Sequence, residues 1–109
     1  RSGTFKGTHY LSYRVYVRRL AELDARDAQD WYEGKSPGLG AVFNSELGQA
    51  LLRLEHMPLV GQTMYGQVRR VILHHFPYLL WYQVEGERVI VLACTHGKRG
   101  YKFIRSRLA

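Results

Sequence analysis

The side chains that could do chemistry are cationic and cluster late in the chain. Arg69 and Arg70 are adjacent, and His74 and His75 follow them. His96, Lys98 and Arg99 stand together, with Tyr101 and Lys102 next. Such a set holds the parts needed for metal-free RNA cleavage. One group takes the proton from a ribose 2′-hydroxyl, cations stabilise charge growing on the phosphate, and another group protonates the leaving oxygen. Histidine serves as acid or base near neutral pH, and arginine clamps phosphate through paired hydrogen bonds. The competing reading is that Arg69, Arg70 and Arg99 are solvated or face a partner's carboxylates. Among the histidines, His96 reads as structural, because it ends an apolar run.

Other chemistries lack their parts. There is no glycine-rich phosphate loop, no HExxH and no cysteine pair. His74 and His75 are neighbours on a predicted strand, point to opposite faces, and so cannot ligate one metal from it. Cys94 is the single cysteine. It excludes an internal disulfide and a Cys-rich zinc framework, reads as a small buried hydrophobe, and fits a reducing cytoplasm. No cofactor and no metal are expected.

The elements that must position these groups follow from periodicity. Tyr13–Arg18 alternates with period two and reads as a half-buried strand. Leu20, Leu23, Ala28, Trp31 and Tyr32 then recur at helical spacing, with acids between them, and Gly34 and Ser36-Pro37-Gly38 end the run. Leu39, Phe43, Leu47, Ala50, Leu51 and Leu54 form the apolar face of a second helix that Pro58 stops. Gln62–Gln67 reads as a loop. Val68–Phe76, Tyr78–Val84 and Arg88–His96 read as strands, the last two joined by a hairpin turn at Glu85-Gly86-Glu87. Tyr78, Trp81 and Tyr82 read as sheet packing. The expected class is α+β, in the order β-α-α-β-β-β: a twisted antiparallel sheet with an N-terminal helical hairpin on one face. Residues 1–12 form an extension ahead of a single domain spanning 13–109.

The chain has 109 residues and a net charge of +7, unevenly spread. Residues 19–58 carry four basic and seven acidic side chains, whereas residues 59–109 carry eight basic and two acidic, a local excess of +6. That asymmetry points to an anionic partner, either a nucleic acid or an acidic protein. The longest apolar stretches are strand-sized, far below the roughly 18 residues of a membrane span. No membrane association is expected, and Arg1–Thr8 has no apolar signal-peptide core. Apolar surface at Trp81 or along the N-terminal segment is compatible with a homodimer.

One ordered set of residues resembles a known family. Trp31-Tyr32-Glu33, Ser36-Pro37-Gly38-Leu39-Gly40 with Phe43 and Leu47, Pro58, Val68-Arg69-Arg70, Phe76-Pro77-Tyr78, Trp81-Tyr82, Val89–Ala93 and His96-Gly97-Lys98-Arg99 together are similar to the RelE/ParE superfamily of type II toxin–antitoxin toxins. The resemblance runs from about Tyr13 to Arg107. It implies a growth-inhibiting bacterial toxin of the plasmid-stabilisation type, neutralised by a cognate antitoxin. It also divides on target. ParE-like members inhibit DNA gyrase, and RelE-like members cut messenger RNA in the ribosome without a metal. For RNA cleavage the matching candidates are Arg69, Arg70, His96, Lys98, Arg99 and Tyr101. For antitoxin or target binding they are Arg69, His75, Arg99, Lys102 and Arg105. The lysine pair of RelE-like sites is absent, since Pro58–Gln67 holds no lysine or arginine, which favours the ParE-like reading. Gly100-Tyr101-Lys102-Phe103 stands where similar chains carry a proline and a tryptophan. Three readings are open: a gyrase-binding toxin, a ribosome-dependent endoribonuclease, and an inactive relative that only binds protein.

Overall fold

The computed structural model describes residues 12–99 and 102–108. Most of residues 1–12 and Tyr101 therefore lie outside the described residues. The elements are β1 (Arg14–Val17), α1 (Arg19–Lys35), α2 (Leu39–His56), β2 (Gln62–Tyr65), β3 (Val68–Ile72), β4 (Tyr78–Glu85), β5 (Arg88–His96) and α3 (Lys102–Leu108). The sheet runs β1-β5-β4-β3-β2. Its α+β class and helical hairpin are as expected. The pairing differs in one respect: β1 lies parallel to β5, while the other pairs are antiparallel. A parallel pair needs a long crossover, and here the helical hairpin and three strands separate β1 from β5. Gln62–Tyr65, expected as loop, forms the edge strand β2, and β3 stops at Ile72 rather than Phe76. Helix α3 was not foreseen. Its seven residues are too few to hold alone, and packing of Ile104 sustains them.

The helical hairpin is set by glycine and one carboxylate. Gly38 adopts φ 89°, a left-handed turn that other residues resist. It has no side chain to cap α2, so Glu33 of α1 does so, accepting the backbone N–H of Gly38 and of Gly40. A Cβ on Gly40 would lie 2.9 Å from the Gln29 carbonyl, so only glycine lets the helices cross this closely. The buried stripe of α1 is Ala21, Ala25, Ala28 and Tyr32. Leu20 and Trp31, expected on that stripe, are 53% and 56% exposed.

The sheet separates two apolar layers. Against the hairpin lie Leu80, Tyr82, Val89, Val91 and Cys94, packed on Phe43, Ala50 and Leu54. Against α3 lie Val68, Leu79, Trp81, Ile90, Leu92 and Ala93, packed on Ile104. Strict alternation along β5 breaks once. Trp81 faces Ala93 while Tyr82 faces Val91, so Leu92 is the extra residue of a bulge. The bulge places both Leu92 and Ala93 in the α3 layer. It also explains the unbroken apolar run, because both faces of β5 are covered.

Candidate binding site

Among the described residues, strand β1 pairs with Arg88–Val91 alone, which leaves the margin of β5 from Leu92 to His96 without a strand. In an antiparallel ladder a residue's N–H and C=O point the same way. The Cys94 N–H donates to Asp24 Oδ2 at 3.0 Å, so both of its backbone groups face away from β4. Side chains take the place of the missing strand. Arg107 donates to the Leu92 carbonyl at 2.9 Å and grips both Asp24 oxygens at 2.9 and 3.0 Å. Arg18 in turn donates to the Arg107 carbonyl. One ion pair thus ties α1 and α3 together across the margin of β5.

Beside this seal opens a cleft of about 610 Å³. Asp27, Trp31 and Tyr32 of α1 form one wall, Tyr78, His96 and Arg99 the other, and Cys94 and Thr95 line it between them. The Lys35 ammonium sits 4.6 Å over the Trp31 ring. The Tyr78 and His96 rings meet edge to face at 5.4 Å. His96 Nδ1 accepts the Lys98 N–H, so the neutral ring carries its proton on Nε2 and offers a donor. Burial raises the Tyr32 hydroxyl above its ordinary pKa. Burial, reinforced by Tyr32 and Cys94, does the same to Tyr78. Burial, with Asp24 adding to it, pushes the Cys94 thiol up to about 12. At neutral pH these groups are uncharged. They can hydrogen-bond and pack, but they are not ready nucleophiles.

The fold distributes the candidate residues rather than gathering them along one sheet edge. Arg69 stands opposite Tyr82 on the hairpin side and donates to the carbonyls of Gly61 at 2.8 Å and Leu59 at 3.2 Å. Arg70 points to the other face, with its guanidinium 5.6 Å from the Trp81 ring. Arg99 covers Phe103 at 3.7 Å and Arg107 approaches the same ring at 4.5 Å. Arg105 lies 5.7 Å from Tyr65. Lys98 is exposed, and so is Lys102 at the start of α3. His75 sits against α2, where its backbone N–H and Nδ1 both meet Glu46. Burial works against the Glu46 charge, but the hydrogen bonds and charge of His75 outweigh it and hold its pKa down. Of the named set, His96 and Arg99 alone share the cleft among the described residues. Among the described residues, no group of three or more histidine, cysteine or carboxylate side chains is placed to hold a metal. Trp81, expected as a dimer surface, is 1% exposed, and its indole donates to Thr95.

Sequence reasoning missed three residues here. Asp24 reads as one of the acids between the apolar positions of the first helix, Arg107 as one of the eight basic residues of 59–109, and their pairing spans the chain with no local mark. Trp31 could have been found. The stripe Ala21, Ala25, Ala28, Tyr32 keeps helical period better than one through Leu20 and Trp31, which leaves a large aromatic pointing outward.

No curated protein is similar to the chain in sequence. Among solved structures, the chain is similar to one from the chromosomal ParDE toxin–antitoxin system of P. aeruginosa. The TM-score is 0.70 at 17% identity, covering 79% of this chain and 97% of that one. It is also similar to one from the RelBE2 toxin–antitoxin complex of Mycobacterium tuberculosis. There the TM-score is 0.55 at 20% identity, covering 78% and 98%. At these identities the two likenesses speak for the fold. The family model described as the ParE toxin of type II toxin–antitoxin systems, parDE, matches residues 15–101, from β1 to just short of α3. A match over most of the chain decides the matter: this protein belongs to the ParE toxin family of type II toxin–antitoxin systems.

Proposed function

We propose that the chain acts by binding and inhibiting DNA gyrase and is held inactive by a cognate antitoxin. The observation that carries the target is the separation of the cations needed for phosphoryl transfer. Arg69 spends its guanidinium on two loop carbonyls, Arg70 lies on the opposite sheet face, and Arg99 is stacked on Phe103. A phosphate in reaction needs such donors converging on one point. A protein surface needs only that they be exposed and complementary. The antitoxin is supported by family membership and by the two similar structures, both of which come from toxin–antitoxin systems.

The test adds purified protein to gyrase supercoiling and, separately, to ribosome-bound messenger RNA. Supercoiling is expected to fall while the RNA stays intact. Cut RNA with unaffected supercoiling overturns the reading. One observation favours the second reading, metal-independent RNA cleavage: His96 and Arg99 line the same cleft. On that reading His96→Ala and Arg99→Ala each reduce cutting by about 100-fold or more. Equal cutting by both removes them from the site. If neither assay responds and cells expressing the chain alone grow normally, the protein is a binding module without a toxic target.

A further inference from the structure

Among the described residues, a second sheet margin lies open on the β2 side of the sheet. β2 begins at Gln62, opposite Arg70, so Val71 and Ile72 of β3 extend beyond it. A notch of about 380 Å³ remains, walled by Arg53 of α2, Val60, Arg70, Ile72 and Leu79. Of its apolar walls, Ile72 is 61% exposed and Val60 41%, and the loop that carries Val60 also exposes Leu59 and Met57. Large apolar side chains gathered this way, with a charged rim, mark interaction surfaces.

The exposure is built in. The carbonyls of Leu59 and Gly61 are drawn toward Arg69, and the Gly61 N–H donates to the buried Tyr82 hydroxyl at 2.8 Å. The loop is pinned through its backbone, and its side chains at 59 and 60 are held outward. Among the described residues, the charges at the notch are both positive, Arg53 and Arg70, and no carboxylate lines it. Two copies related by a twofold would set these arginines against each other, in a chain already at +7. Nucleic acid would match the charge but leave the apolar side chains without a partner.

We infer that this notch seats an amphipathic, acidic segment of the antitoxin, with one or two large apolar side chains in the notch and carboxylates on Arg53 and Arg70. The assignment rests on the antitoxin reading above. Segments that order on binding need such apolar anchors to offset the entropy they lose.

The experiment titrates the full chain with the purified polypeptide encoded beside its gene, by calorimetry. Ile72→Asp is expected to weaken binding by roughly 30-fold or more, and Ile72→Thr, which keeps strand propensity, by roughly 5-fold. Arg53→Glu is expected to cost about 10-fold, an effect that shrinks as salt is added. Val42→Asp, on an exposed part of α2 away from the notch, is the control and stays within about 2-fold. Unchanged melting temperatures confirm that the variants fold. If the wild type binds and both Ile72 variants bind equally well, the notch is not the site, and the antitoxin reading stands. If only Arg53→Glu weakens binding, the surface is a general anion attractor and the assignment fails. If the wild type does not bind the neighbouring polypeptide at all, both readings fall.

Discussion

Two margins of one sheet face the same problem and solve it differently. At β5 and at β3 a short neighbouring strand stops early and leaves backbone beyond it. The β5 margin is closed from within. Asp24 accepts the Cys94 N–H, Arg107 donates to the Leu92 carbonyl, and the two side chains pair, only 17% and 10% exposed. The β3 margin is left open, rimmed by arginine and by side chains that a soluble surface normally hides. An edge closed by the chain's own groups contributes to stability. An edge held open by a pinned loop contributes little and is free to bind.

The comparison breaks first at Asp24. Asp24→Ala leaves the Arg107 guanidinium largely buried without its anion and the Cys94 N–H without its acceptor. The expected loss is about 3 kcal/mol of unfolding free energy, read by denaturant titration. Adding Arg107→Ala should recover part of it, since the stranded charge goes too. A loss under about 1 kcal/mol in the single variant means the margin is not sealed by this pair.

A smaller effect appears only in alkali. The Cys94 thiol titrates near 9.0 when exposed and at about 12 in the fold. Its folded pKa is raised, so its contribution is full below the unfolded value and is lost as pH climbs from 9 toward 12. Between about pH 8 and about pH 10.5, that amounts to about 2 kcal/mol. Cys94→Ala should remove this part of the fall, leaving the part due to tyrosines such as Tyr32 and Tyr78, whose pKa values are also raised. Identical pH profiles for wild type and Cys94→Ala contradict a thiol held neutral by burial.

These two effects also show how much was legible beforehand. Hydropathy with period two or 3.6 suffices to find the hairpin and the three later strands, which carry the core, and β1, where Tyr13 and Val15 are half-buried although Val17 is exposed. Cys94 reads correctly as buried, since it lies in an apolar run covered on both sides. The edge strand β2 does not read, because Gln62, Thr63 and Tyr65 bury little and two glycines flank it. The parallel placement of β1 has no local signal, since strand order depends on packing across the whole chain. The same holds for the site. His96 and Arg99 are near in sequence and meet in one cleft. Arg69 and Arg70 are nearer still and are parted by the pleat, which sends neighbours to opposite faces. Asp24 and Arg107 meet only because α1 and α3 wrap the same strand.

The open margin has its own anchor, and testing it sharpens the contrast. Tyr82→Phe removes the acceptor of the Gly61 N–H beneath the loop. A buried donor left without a partner costs about 1–2 kcal/mol. The loop then loses the tie that holds Leu59 and Val60 outward, so antitoxin binding should weaken along with stability. A stable Tyr82→Phe that binds normally means that Arg69 alone sets the loop.

The smallest effect is the most informative. Ile72 is mostly exposed at the end of β3, and threonine keeps its branched shape. Ile72→Thr should therefore change stability by less than about 0.5 kcal/mol. Near-silence in unfolding, with a measurable loss in binding, is the signature of a side chain kept for a partner rather than for the fold. A loss above about 1 kcal/mol shows instead that Ile72 covers the strand end much as Asp24 and Arg107 cover theirs. In that case both margins would be structural, and the distinction between a sealed edge and a presented one would disappear.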